Sequence, residues 1–158
     1  MKIVLDDLTH PKVHALLREH LTDMHANSPP GQVFALDLAK LKAPEITFWT
    51  AWDEAELLGC GAMKELDATH GEVKSMRTAT GHLRKGVARK ILDVILAEAE
   101  HRGYSRVSLE TGSTAAFVPA HTLYEQAGFT HSGPFADYSP NGFSVFLTRA
   151  IGQARSPI

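Results

Sequence analysis

The sequence predicts a single-domain α/β fold: a mixed, mostly antiparallel sheet with one parallel pair, flanked by helices. Three observations carry that expectation. Residues 46–52 and 57–66 read as two apolar strands joined at the acidic turn Asp53-Glu54, a hairpin by composition and length. A strand at 72–78, an amphipathic helix at about 85–101 and a strand at 106–110 then follow in order, the crossover that sets two strands parallel. At 158 residues, with no repeat, linker or low-complexity block, the chain reads as one domain over 1–158.

Taken in order, residues 2–5 form a first strand, and Thr9 or His10 caps a helix that has Pro11 near its first position. Val13, Leu16, Leu17, Leu21 and Met24 recur at helical spacing, so one face of this helix packs inward. The run from His25 to Gly31, with Pro29 and Pro30, ends it, and a short helix at 37–41 precedes Pro44. After the hairpin, residues 72–78 alternate polar and apolar, as a half-buried strand does. The long helix carries Val87, Ala88, Ile91, Leu92, Ile95 and Ala99 on one stripe and stops at Gly103. A last helix at 119–126 is closed by Gly128. Residues 129–130 and 143–148 supply a closing pair of strands, and the tail after Arg149 is expected to fray.

Bulk properties narrow the partners. Sixteen basic against eighteen acidic residues give a net charge of −2, which offers no global attraction to nucleic acid or an anionic membrane. The one cysteine, Cys60, rules out an internal disulfide framework and fits a reducing compartment. The first residues turn acidic after a short apolar run, neither a signal-peptide core nor a membrane span, so a cytoplasmic protein is expected. Nine histidines include His10 and His14 one helical turn apart. No third ligand follows and no His-Glu-x-x-His occurs, so no metal site is expected.

The stretch from Met76 to Leu92 holds the most chemistry. An alternating strand runs into a basic, glycine-punctuated turn and then a helix, where backbone N–H groups around Gly86 lack intrahelical partners and the dipole is positive. Arg84, Lys85 and Arg89 add full charges. The segment reads either as a phosphate cradle or as a basic helix start with a flexible glycine. Gly81 and Gly86 have Walker A spacing, but Val87-Ala88 stands where Lys-Ser/Thr is required, and the three-glycine dinucleotide fingerprint is absent.

Leu83-Arg84-Lys85-Gly86-Val87-Ala88 resembles the acetyl-CoA pyrophosphate loop of GNAT-type acetyltransferases, Arg/Gln-x-x-Gly-x-Gly/Ala, departing from it at Leu83. Ala120-His121-Thr122-Leu123-Tyr124-Glu125-Gln126-Ala127-Gly128-Phe129 is similar to the Ala-x-x-Leu-Tyr-x-x-x-Gly-Phe run of the same superfamily. Seven positions before the tyrosine, Phe117 stands where an asparagine is common. Longer stretches, including 108–113 and 133–138, look like a bacterial branch of these enzymes.

That resemblance implies acetyl-CoA as co-substrate, no metal, and acetyl transfer to a small-molecule or peptide amine by direct attack in a ternary complex. It also allows a homodimer. Arg84, Lys85, Gly86, Val87, Ala88 and Arg89 would hold the diphosphate. Main-chain groups of Met76, Arg77 and Thr78, on a strand with interrupted pairing, would meet the pantetheine amides. Tyr124 would serve as general acid toward the departing thiolate, or else simply pack in the core. Glu72 matches a position where some members carry a catalytic glutamate; it is either the base or a solvent-facing strand residue. Glu110, at a strand end where α/β sheets place ligands, competes as base or binds the acceptor's ammonium group. The early helices, the Ser28-Pro29-Pro30 loop and the Phe135-Ala136-Asp137-Tyr138 loop would wall the substrate, with Asp137 attracting a cation. A reading from another class, an acyl-CoA-binding sensor or assembly domain without catalysis, is left open by Leu83 and Phe117 and opposed by Tyr124.

Overall fold

The computed structural model describes residues 1–152. Its elements are β1 (Lys2–Leu5), α1 (Pro11–Asn27), α2 (Leu38–Leu41), β2 (Ile46–Asp53), β3 (Glu56–Asp67), β4 (His70–Thr78), α3 (Val87–His101), β5 (Arg106–Gly112), α4 (Val118–Gln126), β6 (Thr130–Ser132) and β7 (Ser144–Ala150). Short 3-10 turns at Thr80–His82 and Ala115–Phe117 lead into α3 and α4.

All seven strands share one sheet, ordered β1-β2-β3-β4-β5-β7-β6. Neighbours are antiparallel except β4 and β5, which are parallel. The mixed sheet is therefore as expected, and the insertion of β7 between β5 and β6 is new. The tail orders later than expected: β7 runs to Ala150, Ile151 is buried, and its N–H donates to the Ser105 carbonyl at 2.9 Å. The expected fraying beyond Gly152 lies outside the described residues.

Two apolar layers cover the sheet. On one face α3 buries Val87, Ile91, Leu92, Ile95 and Ala99 against Trp49, Met63, Val73 and Leu109, with Tyr124 of α4 in the same cluster. Each large aliphatic side chain buried there contributes about 1.5–3 kcal/mol. On the other face Val13, Leu16 and Leu17 of α1 meet Leu41, Phe48, Cys60 and Ala62. His10 starts α1, its Nδ1 accepting from the Lys12 N–H at 3.0 Å, with Pro11 pre-set for the first turn.

α3 approaches β3 so closely that only glycine fits beneath it. A Cβ on Gly61 would lie 2.5 Å from Met76 Sδ and 2.7 Å from Ile91 Cγ2. The facing strand bulges at the same level. Cys60 pairs with Arg77 but Ala62 with Lys74, so Ser75 and Met76 together oppose Gly61. Ser75 takes a positive φ of 54°, the left-handed conformation such a bulge accommodates. The interruption expected at Met76-Arg77-Thr78 thus sits one residue earlier.

Gly61→Ala is expected to lose about 1–3 kcal/mol through overpacking, read as a lower urea midpoint. Gly81→Ala, whose Cβ would meet nothing within 4 Å, is expected to stay within about 0.5 kcal/mol of the parent. Equal midpoints for the two variants would contradict this packing. A second expectation concerns pH. Burial, then Arg77, holds the His20 imidazole down at about 4, against about 6.5 when unfolded. The unfolded chain therefore binds the extra proton, and stability is full above about pH 6.5 and declines toward about pH 4. His20→Gln should flatten part of that slope in urea titrations; an unchanged slope would count against it.

Candidate active site

The parallel pairing of β4 with β5 ends almost as soon as it begins. His70, Gly71 and Glu72 pair with Arg106, Val107 and Ser108, and nothing beyond them does. β4 continues to Thr78 paired only with β3, and β5 to Gly112 paired only with β7. The two strands splay, opening a cleft in the middle of the sheet. Main-chain N–H and C=O groups on the β5 side of β4 are left without strand partners, a ready edge for an amide-bearing ligand. The cleft is bordered by Glu72–Met76 on β4, Leu109–Gly112 on β5, Tyr124 of α4, and His20, Met24, Ser28 and Gln32–Ala35 from α1 and the segment after it.

Beyond the end of β4, the chain turns into α3 through two left-handed residues, Arg84 (φ 65°) and Gly86 (φ 78°). A Cβ at Gly86 would touch nothing within 4 Å, so the demand for glycine there is conformational. The first return bond of the helix is Lys90 N–H to Gly86 O at 3.2 Å, which leaves the N–H groups of Val87, Ala88 and Arg89 to find partners outside the helix. Lys85 Nζ lies 3.1 Å from His82 Nδ1, whose Nε2 meets Glu56 Oε1 at 2.7 Å, while Arg89 pairs with Asp93 at 3.0 Å. Arg84 is exposed and makes no hydrogen bond or ion pair among the described residues. Leu83 is exposed beside it.

Glu72, expected either as base or as a solvent-facing residue, is only 2% exposed. Its Oε2 accepts from Tyr138 Oη at 2.6 Å and from Lys74 Nζ at 3.1 Å. Its Oε1 has no hydrogen bond among the described residues. Glu110 lies on the same side of the sheet, its Oε2 accepting from Ser144 Oγ at 2.7 Å. Burial raises its carboxyl above the ordinary range, opposed by that hydrogen bond and the nearby Lys74 ammonium and reinforced by Glu72. Tyr124 is 6% exposed, its ring edge-on to Phe129 at 5.6 Å. Burial raises its phenol well above the usual value, and its hydroxyl has no protein partner among the described residues, so it is a neutral donor facing the cleft. This tyrosine both packs in the core and borders the cleft.

For Met76, Arg77 and Thr78 the expectation concerned main-chain groups, and all three lie on β4. The Arg77 side chain turns away from the cleft to α1, where Nη2 meets Glu19 at 2.9 Å and Asp23 at 2.5 Å. Only its main chain is available on the strand. The Thr78 main chain pairs with Gly59, and Met76 borders the cleft while its sulfur covers Gly61. Asp137 is exposed and does not border the cleft; its neighbour Tyr138 reaches inward instead. Phe117 is buried over Gly112 and edge-on to Phe143 at 5.6 Å, so an aromatic wall stands where the resemblance would place an amide. Cys60 is fully buried, burial pushing its thiol up to about 12.

Sequence reasoning missed His20 and Lys74, and named Tyr138 only as part of a loop expected to wall the substrate. The first two were within reach: His20 continues the 13, 16, 17 stripe of α1, and Lys74 shares a strand face with Glu72. No helix among the described residues is long and apolar enough to cross a membrane.

Comparison with known proteins agrees with this geometry. The acetyltransferase (GNAT) family profile matches residues 12–129. The uncharacterized N-acetyltransferase YsnE of Bacillus subtilis (strain 168) is 57% identical over 96% of this chain and 100% of its own. The uncharacterized N-acetyltransferase YedL of Escherichia coli (strain K12) is 50% identical over 94% of each. A GNAT family acetyltransferase from Elizabethkingia anophelis, solved with acetyl-CoA bound, has the same fold at 18% identity, with a TM-score of 0.68 over 94% of this chain and 97% of that one. The splayed pair, the left-handed turn into α3 and these relatives together place the chain in the GNAT family, as an acetyl-CoA-dependent N-acetyltransferase.

Proposed function

We propose that the chain moves the acetyl group from acetyl-CoA directly to a primary amine while both are bound in the β4–β5 cleft. The observation that carries this reading is convergence: Glu72, Glu110 and Tyr124, on three different elements, all border the one gap. The free main-chain edge of β4 from Val73 would take the pantetheine amides, and the open N–H groups at the start of α3 would take the diphosphate, with Arg84 unpaired beside them.

Acetyl transfer from a thioester requires an unprotonated amine, a polarised carbonyl and a stabilised leaving thiolate. Glu72 supplies a carboxylate oxygen for the amine's proton. Tyr124, neutral and without a partner, donates its proton or a hydrogen bond to the departing sulfur. Cys60 argues against a covalent acetyl-cysteine, because burial holds it as an inert thiol that does not border the cleft. Glu110, with one oxygen uncommitted, is suited to hold the acceptor's ammonium before deprotonation.

The charges that border the cleft favour a cationic amine. Glu72 and Glu110 outnumber Lys74, and His20 is neutral near pH 7. Phe34, Phe117, Phe143 and Met24 supply the apolar surface for its carbon skeleton.

Free-thiol release from acetyl-CoA with a panel of alkylamines, amino acids and short peptides tests this reading, which expects simple cationic amines to exceed amino acids. Initial-rate plots should intersect, as a ternary complex requires; parallel lines would contradict direct attack. Tyr124→Phe is expected to lower turnover by about a hundredfold with acetyl-CoA affinity retained. Glu110→Gln should chiefly raise KM for the amine, whereas Glu72→Gln should remove the acidic limb of the pH–rate profile. If the limb survives Glu72→Gln and vanishes in Glu110→Gln, the two roles are exchanged. Gly86→Ala should weaken binding of coenzyme A without touching the amine KM, since its cost falls on the turn before α3.

A further inference from the structure

Two donors, joined to each other in a closed triangle, hold one oxygen of Glu72. Tyr138 Oη lies 2.6 Å from Glu72 Oε2, Lys74 Nζ lies 3.1 Å from the same oxygen, and Lys74 Nζ lies 3.0 Å from Tyr138 Oη. The donors can be assigned by elimination. A carboxylate only accepts and an ammonium only donates, so the single tyrosine proton goes to Glu72 and the tyrosine oxygen accepts from Lys74. Both bonds fall on Oε2, and Oε1 of this cleft-lining residue has no partner among the described residues.

Tyr138 does not itself border the cleft. It stands behind Glu72 on the loop between β6 and β7, in a turn closed by its N–H donating to the Phe135 carbonyl at 3.0 Å. Its ring is fixed on three sides, by Phe34 at 5.3 Å, Phe135 at 5.0 Å and Phe146 at 5.5 Å. Phe34 borders the cleft, so one side chain braces both the carboxylate and a wall of the acceptor's space.

We infer that Tyr138, braced by Lys74, is a positioning residue that holds the Glu72 carboxylate by one oxygen and aims the other into the cleft. The inference rests on the reading of Glu72 as the base. The O–H donor and the ammonium both favour the charged carboxylate and oppose its desolvation. Among the described residues, the other charged or titratable groups around Glu72 are His70 on its own strand, Lys64 paired with it on β3, Glu110 from β5 and His20 from α1, and none of them hydrogen-bonds it. Losing the tyrosine hydroxyl therefore removes one donor to the charged carboxylate and frees it to turn.

Tyr138→Phe keeps the ring contacts and tests the inference in the intact enzyme. Assayed by thiol release with acetyl-CoA and the panel amine that turns over fastest, it should lose about tenfold in kcat/KM. Its acidic limb should move to higher pH, with acetyl-CoA affinity unchanged. With no acceptor present, the 13C carboxyl resonance of Glu72, identified by its absence in Glu72→Gln, should titrate at higher pH in the variant. Added to Glu72→Gln, Tyr138→Phe should cost nothing more, since its effect passes through that carboxylate. Lys74→Met should move the limb and the resonance in the same direction, which keeps the inference testable if Tyr138→Phe folds poorly. An unmoved limb and resonance in either folded variant, with Glu72→Gln inactive, would overturn the inference and leave the base assignment standing. Full activity of Glu72→Gln would overturn both.

Discussion

The site exists because two parallel strands stop pairing. Past Glu72 and Ser108, β4 and β5 each keep one neighbour and give up the other, and the main-chain groups this frees lie in the interior of a seven-stranded sheet. Buried backbone donors and acceptors are costly to leave unsatisfied, so such a gap is stable only when water or a ligand completes it. Much of the surrounding structure follows from holding the gap open. The bulge at Ser75 and Met76 redirects β4, Gly61 lets α3 press against the bulged region, and the Phe117–Phe143 pair over Gly112 stops β5 from closing back. On α1, Glu19 and Asp23 grip Arg77 and pin the far end of β4 to that helix.

Into this gap the fold brings groups whose electrostatic needs differ. Glu110 is pushed toward its neutral form by burial, and the Tyr124 phenol is held protonated by the same effect. Glu72 is more deeply buried than either would suggest for a charged side chain, yet it has a cation and a hydroxyl on one oxygen. Donors of this kind offset the desolvation that burial imposes on a carboxylate. His20 contributes an uncharged imidazole from the opposite wall.

Local sequence carried the elements well, because each has a local cause. The Val87, Ile91, Leu92, Ile95 stripe makes α3 legible, His10 and Pro11 mark the start of α1, and Asp53-Glu54 sits at the hairpin turn. The strand order was not legible, since β7 reaches its place between β5 and β6 through pairing across forty residues of sequence, such as Leu109 with Leu147. The site divided in the same way. Gly86 and Tyr124 lie in runs whose spacing resembles a known pattern; Gly86 takes the left-handed turn into α3 and Tyr124 borders the cleft. For Arg77 the expectation concerned its main chain, and where its guanidinium would go was not legible, since its partners Glu19 and Asp23 lie more than fifty residues away on α1. Tyr138 was passed over for Asp137 because charge is visible in a loop sequence, whereas the direction a loop residue faces is set by the turn around it.

The central claim is that acetyl-CoA completes the pairing that β4 gives up and caps the amides that α3 leaves open. Residue-resolved amide hydrogen exchange, with and without saturating coenzyme A, tests it directly. The account predicts strong added protection confined to the β4 amides between Val73 and Thr78 and to Val87, Ala88 and Arg89, with the amides of β1 unchanged. Bound coenzyme A that left those amides exchanging as before, or that protected a different edge of the sheet, would contradict it.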